Sequence, residues 1–409
     1  MFRPRTLSIL ALGLVLLTPP AASGQLPSTN VAVVVEQGLY TGGAISAGLT
    51  QYLADITAQG YNPILTTNFT TDSAPADLRT HLANQYATQG LAGAVFVGHL
   101  PVATVYTAGS GDISGEFHPS DLYYTDLDGS WTSSGAHGYL PDTHTDGSGN
   151  VGPEIWLGIL TTWNLTLLHP GRTEASLLND YFAKNHAYRT GAVIVPRTGL
   201  AYTDDEWGHQ IRVDALTLAV EGAVNDVWND PTTPGDDTTA ANYKWRLANE
   251  SYEHVLLSSH SSATAHSMNG SVNNSDLAAL DPEVLFYNLF CCSAARYTEF
   301  GYIGGEYIFG DGLGLVAVGS TKTGSMQSHT MADYFEPLGL GETFGQAMLD
   351  WWNLAVDPGG HTDTERAWSY GMTTIGDPLL LTQPYIPEPA TLGLLAVGLL
   401  ALVRGRRRR

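Results

Sequence analysis

Two apolar runs of strand length each end in a residue type that does chemistry. Val255-Leu256-Leu257-Ser258-Ser259 leads into His260, and Val284–Phe290 leads into Cys291-Cys292. An imidazole beside a thiol can take its proton and leave a thiolate, the attacking species of cysteine hydrolases. A continuous apolar run of this length predicts a strand covered on both faces. In open α/β sheets, sites form just beyond the carboxyl ends of such strands. Two neighbouring strands of one parallel sheet would therefore bring the two tips together. Successive strand side chains point to opposite faces, so one cysteine at most can face His260.

The elements that would position these tips alternate along the chain. Residues 31–36 read as a first strand, 43–59 as an amphipathic helix, and 94–98 as a second strand after a helix containing Leu78 and Leu82. Further strands are expected at 154–160, 192–196 and 313–319, and helices at 175–188 and 341–352. This alternation predicts βαβ units and a mainly parallel sheet. Residues 109–152 change texture to Gly, Ser, Asp and Thr with scattered aromatics, an excursion long enough to be functional or ion-stabilised. A polar loop is expected over 229–237.

The ends read differently. Arg3 and Arg5, an apolar stretch over 7–17 and Ala21-Ala22-Ser23-Gly24 have the layout of a secretory signal, so residues 1–24 are set apart from the fold. Pro387-Glu388-Pro389, an apolar run over 390–403 and the arginines at 404 and 406–409 close the chain. This tripartite end, residues 386–409, resembles the PEP-CTERM sorting signal of Gram-negative bacteria. The resemblance implies recognition by an exosortase-type enzyme, transient anchoring in the inner membrane, and release or transfer to the cell surface. The apolar run is shorter than the about 20 residues a full crossing needs, and the arginine cluster favours the cytoplasmic side.

The chain of 409 residues holds 18 Lys+Arg against 40 Asp+Glu, a formal net charge of −22. Much of the positive charge sits in the two ends, so the exported body is more acidic still. Such a surface argues against nucleic acid and anionic lipid as partners. The 2 cysteines are adjacent, so no disulfide framework exists despite the oxidising destination, and a bond between sequence neighbours would be strained. Thiols kept without stapling anything point to use of at least one.

Over most of residues 25–385 the chain resembles the gingipain-like cysteine peptidases, relatives of the caspase-hemoglobinase fold. The resemblance is carried by residues 78–98, by Asp121-Leu122-Tyr123-Tyr124 with Asp126-Leu127-Asp128-Gly129 and Trp131, and by Pro153-Glu154-Ile155-Trp156-Leu157-Gly158. It continues in His260-Ser261-Ser262, Cys292-Ser293-Ala294-Ala295-Arg296-Tyr297, residues 315–321 and Gly376-Asp377-Pro378. What it implies is a caspase-like three-layer α/β sandwich with a mainly parallel central sheet flanked by helices. An N-terminal subdomain over 25–165 and a catalytic subdomain over 166–385 are expected. The implied activity is cysteine endopeptidase action on protein or peptide substrates, with no organic cofactor or catalytic metal required.

Carried over residue by residue, the resemblance makes Cys292 the nucleophile and His260 the general base that later protonates the leaving amine. The backbone N–H groups of Ser261 and Cys292 would form the oxyanion hole. Glu154 takes the place of a glutamate that orients the histidine, and Cys291 becomes a core residue beneath the site. Two departures stand out. Ser261 replaces a glycine where backbone approaches substrate, and Ile159 replaces an arginine after Gly158. The first motivates an alternative reading, a catalytically silent surface or biofilm-matrix binding protein on a peptidase scaffold.

Other clusters carry weaker chemistry. Asp126 and Asp128 with Gly129, and Asp142 and Asp146 with Gly147, offer hard oxygen ligands for a structural calcium without the full twelve-residue loop pattern. His266 and His329, with His209 or His254, could serve a zinc hydrolase, but no HExxH or paired CxxC spacing supports one. Asp204-Asp205-Glu206-Trp207 reads as a cation-binding or substrate-facing loop. Lys322 and Thr323 lie at the sheet edge where a substrate pocket would form.

Overall fold

The computed structural model describes residues 28–204, 207–228, 238–355 and 361–382. Both expected sorting segments, Asp205, Glu206 and the 229–237 loop lie outside these. No helix among the described residues is long and apolar enough to cross a membrane.

Ten strands form one sheet: β1 (Asn30–Val35), β2 (Asn62–Thr66), β3 (Leu91–Val97), β4 (Trp156–Leu160), β5 (Gly199–Thr203), β6 (Val224–Trp228), β7 (Tyr252–Ser258), β8 (Val284–Phe290), β9 (Val316–Ser320) and β10 (Met372–Gly376). Their spatial order is β6-β5-β7-β8-β9-β10-β4-β3-β1-β2. Every pairing is parallel except β9 with β10. The carboxyl ends of β7, β8 and β9 share an edge with the amino end of β10, and the chain leaving β4 reaches that edge too, where Tyr302 Oη donates to Thr161 C=O at 2.9 Å and Asn164 Nδ2 to Tyr297 C=O at 2.7 Å.

All seven residues of β7 and of β8 are buried, as their unbroken apolar runs require. On one face, Phe286 and His254 pack on Phe344, and His254 also meets Phe335, from helices Met331–Gly339 and Phe344–Ala355. On the other, Tyr287 packs on Tyr307 of helix Ile303–Phe309. Alternation thus sends even-numbered β8 side chains to one helical layer and odd-numbered ones to the other. The result is the three-layer α/β sandwich with a mainly parallel sheet.

One expected strand is displaced. Residues 192–196 are irregular, with Ile194 78% exposed, and the strand forms instead at β5, where all five residues are buried. Pro196 lacks the N–H a central strand must donate, which moves pairing past it.

The two helices on the outer side of β10 are tied to the sheet by one buried acid. β10 ends at Gly376, whose φ of 113° and closeness to Leu315 O exclude a side chain. The Asp377 carboxylate that follows is fully buried. It accepts from Tyr52 Oη at 3.0 Å, Asn185 Nδ2 at 2.8 Å, Arg189 Nη2 at 2.5 Å and Leu379 N–H at 3.0 Å. Tyr52 belongs to helix Ser46–Ala58, and Asn185 and Arg189 to helix Glu174–Arg189. Asp377→Ala leaves Arg189 buried without its counter-charge, and the expected loss in urea unfolding is about 3–5 kcal/mol. Adding Arg189→Met to that variant should recover part of the loss; a single variant within about 0.5 kcal/mol of wild type contradicts the anchor.

Candidate active site

β7 and β8 pair in parallel with Ser258 opposite Phe290. One residue further on, Ser259 N–H donates to Phe290 C=O at 3.4 Å, and Ser259 Oγ lies 3.5 Å from Cys291 Sγ. The register thus persists beyond the last ladder pair. Continued alternation would direct His260 and Cys292 to the face opposite the Ser259–Cys291 pair. The two residues the sequence singled out thus follow the carboxyl ends of neighbouring parallel strands.

The two thiols have different surroundings. Cys291 is 1% exposed, and burial pushes its thiol up to about 12. Cys292 is half-buried, and its Sγ accepts from Gly324 N–H at 3.4 Å. A thiol held near 12 carries almost no thiolate at neutral pH. The residue after Cys292, Ser293, has φ of 56°, the left-handed region that non-glycine residues rarely occupy. Its N–H donates to Lys322 C=O at 2.8 Å, so the turn is held from the β9 side. Strained backbone of this kind clusters at functional sites.

His260 opens a small hairpin in which His260–Ser261 pairs with Ala265–Ser267. Ser262 N–H donates to Ala265 C=O at 2.8 Å. Antiparallel alternation then makes Ser261–His266 a pair without ladder bonds, and the Ser261 N–H points away from Ala265–Ser267. Cys292 N–H donates to no acceptor among the described residues. The Ser261 hydroxyl is drawn into its own hairpin, 2.8 Å from Ser262 C=O and 3.0 Å from both Ala265 C=O and His266 Nδ1. Serine in place of glycine here needs no left-handed backbone.

The loop after β5 lies alongside. Asp204 N–H donates to Ser258 C=O at 2.9 Å, and the Trp207 ring centroid is 4.8 Å from that of His260. Arg212, fully buried, fixes this loop: Nε bonds Ser258 Oγ at 2.5 Å, Nη1 bonds Gly208 C=O at 2.7 Å, and the guanidinium lies 4.5 Å over the Phe290 ring. No sequence pattern marked Arg212; its role is visible once β7, β8 and the 204–208 loop are adjacent.

Glu154 is placed elsewhere, which corrects the expectation that it orients His260. It precedes β4, separated from β7 by β10, β9 and β8, so four strand spacings of about 4.8 Å intervene. Its Oε2 accepts from Leu127 N–H at 2.5 Å and from Asp128 N–H at 3.4 Å. Glu154 groups with Asp126 and Asp128, all three offering a carboxylate oxygen within 4.8 Å of one another. Asp126 also binds His144 Nε2 at 2.5 Å and Gly129 N–H at 2.6 Å. Asp142, expected as a fourth calcium ligand, caps Ser134 N–H at 2.8 Å and Ser134 Oγ at 2.6 Å instead. Asp146 is exposed on the turn whose Gly149 N–H its own C=O accepts. The histidines of the zinc alternative are dispersed: His254 packs among phenylalanines, His266 bonds Ser261 and Tyr307, and His209 stacks on Trp228 beside Asp226.

Burial and the charges of Asp126 and Asp128 raise the Glu154 carboxyl to about 7, above the roughly 4.3 of an unfolded chain. The folded state then binds the proton more tightly, so this group's stabilisation is complete below pH ~4.3 and is lost as pH rises through 7. A cation at the three carboxylates would remove that loss. The expected outcome is a thermal midpoint that falls from pH 5 to 8 in chelator and recovers with millimolar calcium at pH 8 but not at pH 5. Buried Glu174 and Glu253 slope the same way, so the comparison is with Glu154→Gln, which should flatten the profile and abolish the calcium response.

Three comparisons place the chain among known proteins. Residues 386–409 match the PEP-CTERM protein-sorting motif. Among solved structures, the chain is similar to the complex of Porphyromonas gingivalis RgpB pro- and mature domains, with a TM-score of 0.58 and 13% sequence identity, over 86% of this chain and 79% of that one. No curated protein matches. The PEP-CTERM motif implies export, recognition by an exosortase-type enzyme and membrane-associated sorting through the C-terminus. The fold is that of the gingipains, a caspase-like α/β sandwich, joined in this chain to a PEP-CTERM sorting signal.

Proposed function

We propose that this protein is an exported cysteine endopeptidase delivered to the cell surface or its surroundings, with Cys292 as nucleophile and His260 as general base. One observation supports the reading: His260 and Cys292 each lie two residues beyond the last paired residues of β7 and β8, next to the Ser259–Cys291 contact, and Cys292 is the less buried of the two thiols. The Cys292 sulfur attacks the peptide carbonyl carbon, forming the C–S bond, and the oxyanion is received by the N–H groups of Cys292 and Ser261. The C–N bond breaks, His260 gives its proton to the departing amine, and a water deprotonated by His260 releases the acyl group.

The silent-scaffold alternative rested on Ser261. That motive is weakened, because the hydroxyl is turned into the hairpin and the N–H is left pointing outward. Calcium at Asp126, Asp128 and Glu154 would brace the excursion and take no part in the acyl transfer.

Cys292→Ala is expected to abolish both peptide-library cleavage and labelling by a peptidyl acyloxymethyl ketone, while Cys291→Ala retains labelling. His260→Ala should lower turnover by about 10²–10⁴-fold, and Glu154→Gln by less than about threefold at saturating calcium, as its distance from His260 requires. Labelling that survives Cys292→Ala and vanishes with Cys291→Ala would reassign the nucleophile. No cleavage by folded wild type across a diverse library would favour the silent scaffold.

A further inference from the structure

Lys322 stands on the far side of Cys292 from His260. It follows β9, the other neighbour of β8, and is fully buried. Its Nζ donates to Thr323 C=O at 2.5 Å and to Ala367 C=O, and among the described residues no carboxylate pairs with it. An ammonium has three protons to donate, and two are used on neutral carbonyls. A buried charge satisfied only by dipoles still lacks a counter-charge.

The surroundings narrow what can supply one. Glu116 is the near carboxylate, but its Oε1 accepts from Thr323 N–H at 2.8 Å and its Oε2 pairs with Arg296 at 3.3 Å. His118 is buried, bonded to Pro119 C=O at 2.8 Å and pushed down to about 3, so it stays neutral. The segment carrying Lys322 wraps Cys292: Lys322 C=O holds Ser293 N–H, and Gly324 N–H meets Cys292 Sγ. Arg212, bonded to Ser258 and lying over Phe290, is a second buried cation, and its charge also acts on the buried Cys291. The thiol of Cys292 is thus the group near Lys322 that can become an anion without already being paired.

We propose that Lys322 is a positioning residue whose buried charge holds the Cys292 sulfur as a thiolate, so that ionisation does not depend on His260 alone. The thiol proton passes to His260, or to solvent where His260 is replaced, and the ammonium keeps its own. Burial lowers Lys322 to about 8, with Glu116 and Cys292 raising it and Arg296 lowering it further, so the charge is largely present at neutral pH. The inference rests on Cys292 being the reactive thiol of the proposed peptidase.

The test is the pH dependence of iodoacetamide alkylation at Cys292, read by peptide mapping of the full chain, with folding checked by each variant's thermal transition. Wild type should show a midpoint below that of an ordinary thiol, about 8.5. Lys322→Met should raise the midpoint by about one unit, close to tenfold less thiolate at pH 7, and Lys322→Arg should restore most of it. His260→Ala keeps Lys322 in place, so its midpoint should remain below 8.5 even if Lys322→Met does not fold. An unshifted midpoint in folded Lys322→Met, or an ordinary midpoint in His260→Ala, overturns the proposal. Both readouts are independent of peptide cleavage, so loss of the peptidase reading through Cys292→Ala would be seen separately.

Discussion

The register of β7 against β8 is the constraint on which the rest depends. Both strands are central and buried on both faces. A one-residue slip would turn every side chain of one strand into the wrong layer, so the pairing is strongly specified. The same slip would exchange Cys291 for Cys292 at His260. The packing that satisfies Phe286 and Tyr287 in opposite layers therefore also governs which thiol is buried, and Cys291 is the one at 1% exposure.

Sheet order then determines what else reaches that thiol. β8 lies between β7 and β9, so the chain leaving β7 supplies His260 from one side, and the chain leaving β9 supplies Lys322 and Gly324 from the other. Arg212 and Trp207 secure the β5 loop beside His260, and the left-handed Ser293 turns the chain sharply after the thiol. The excursion that follows β3 reaches the same edge, where Glu116 pairs with Arg296 and holds Thr323. Glu116 is thereby engaged, and no carboxylate pairs with Lys322 among the described residues.

Much of this was legible in residue order. Long buried strands leave an unmistakable apolar run, and β7 and β8 announced both their burial and the chemistry at their tips. The mainly parallel sheet followed from the alternation, and the caspase-like sandwich from the gingipain resemblance. Glu154 was misassigned because a linear pattern does not encode sheet order: a glutamate before a strand looks equally close to His260 whether three strands intervene or none. Residues 192–196 misled for a local reason, since apolar character outweighed the missing N–H of Pro196. Asp142 resembled an ion ligand by spacing, yet a neighbouring serine satisfies it. Arg212 and Lys322 owe their importance to burial beside the site, which a single basic residue in a sequence does not reveal.

Disulfide trapping across β7 and β8 tests the adjacency of positions 260 and 292 most directly. In a chain carrying His260→Cys and Cys291→Ser, neighbouring strands place the two remaining thiols within the roughly 4.4–6.8 Å between Cα atoms that a disulfide spans. The account predicts that mild oxidation forms a 260–292 cross-link, identified by mass spectrometry of the linked peptides and reversed by reductant. Two thiols that stay free and are alkylated separately in the folded protein would contradict it.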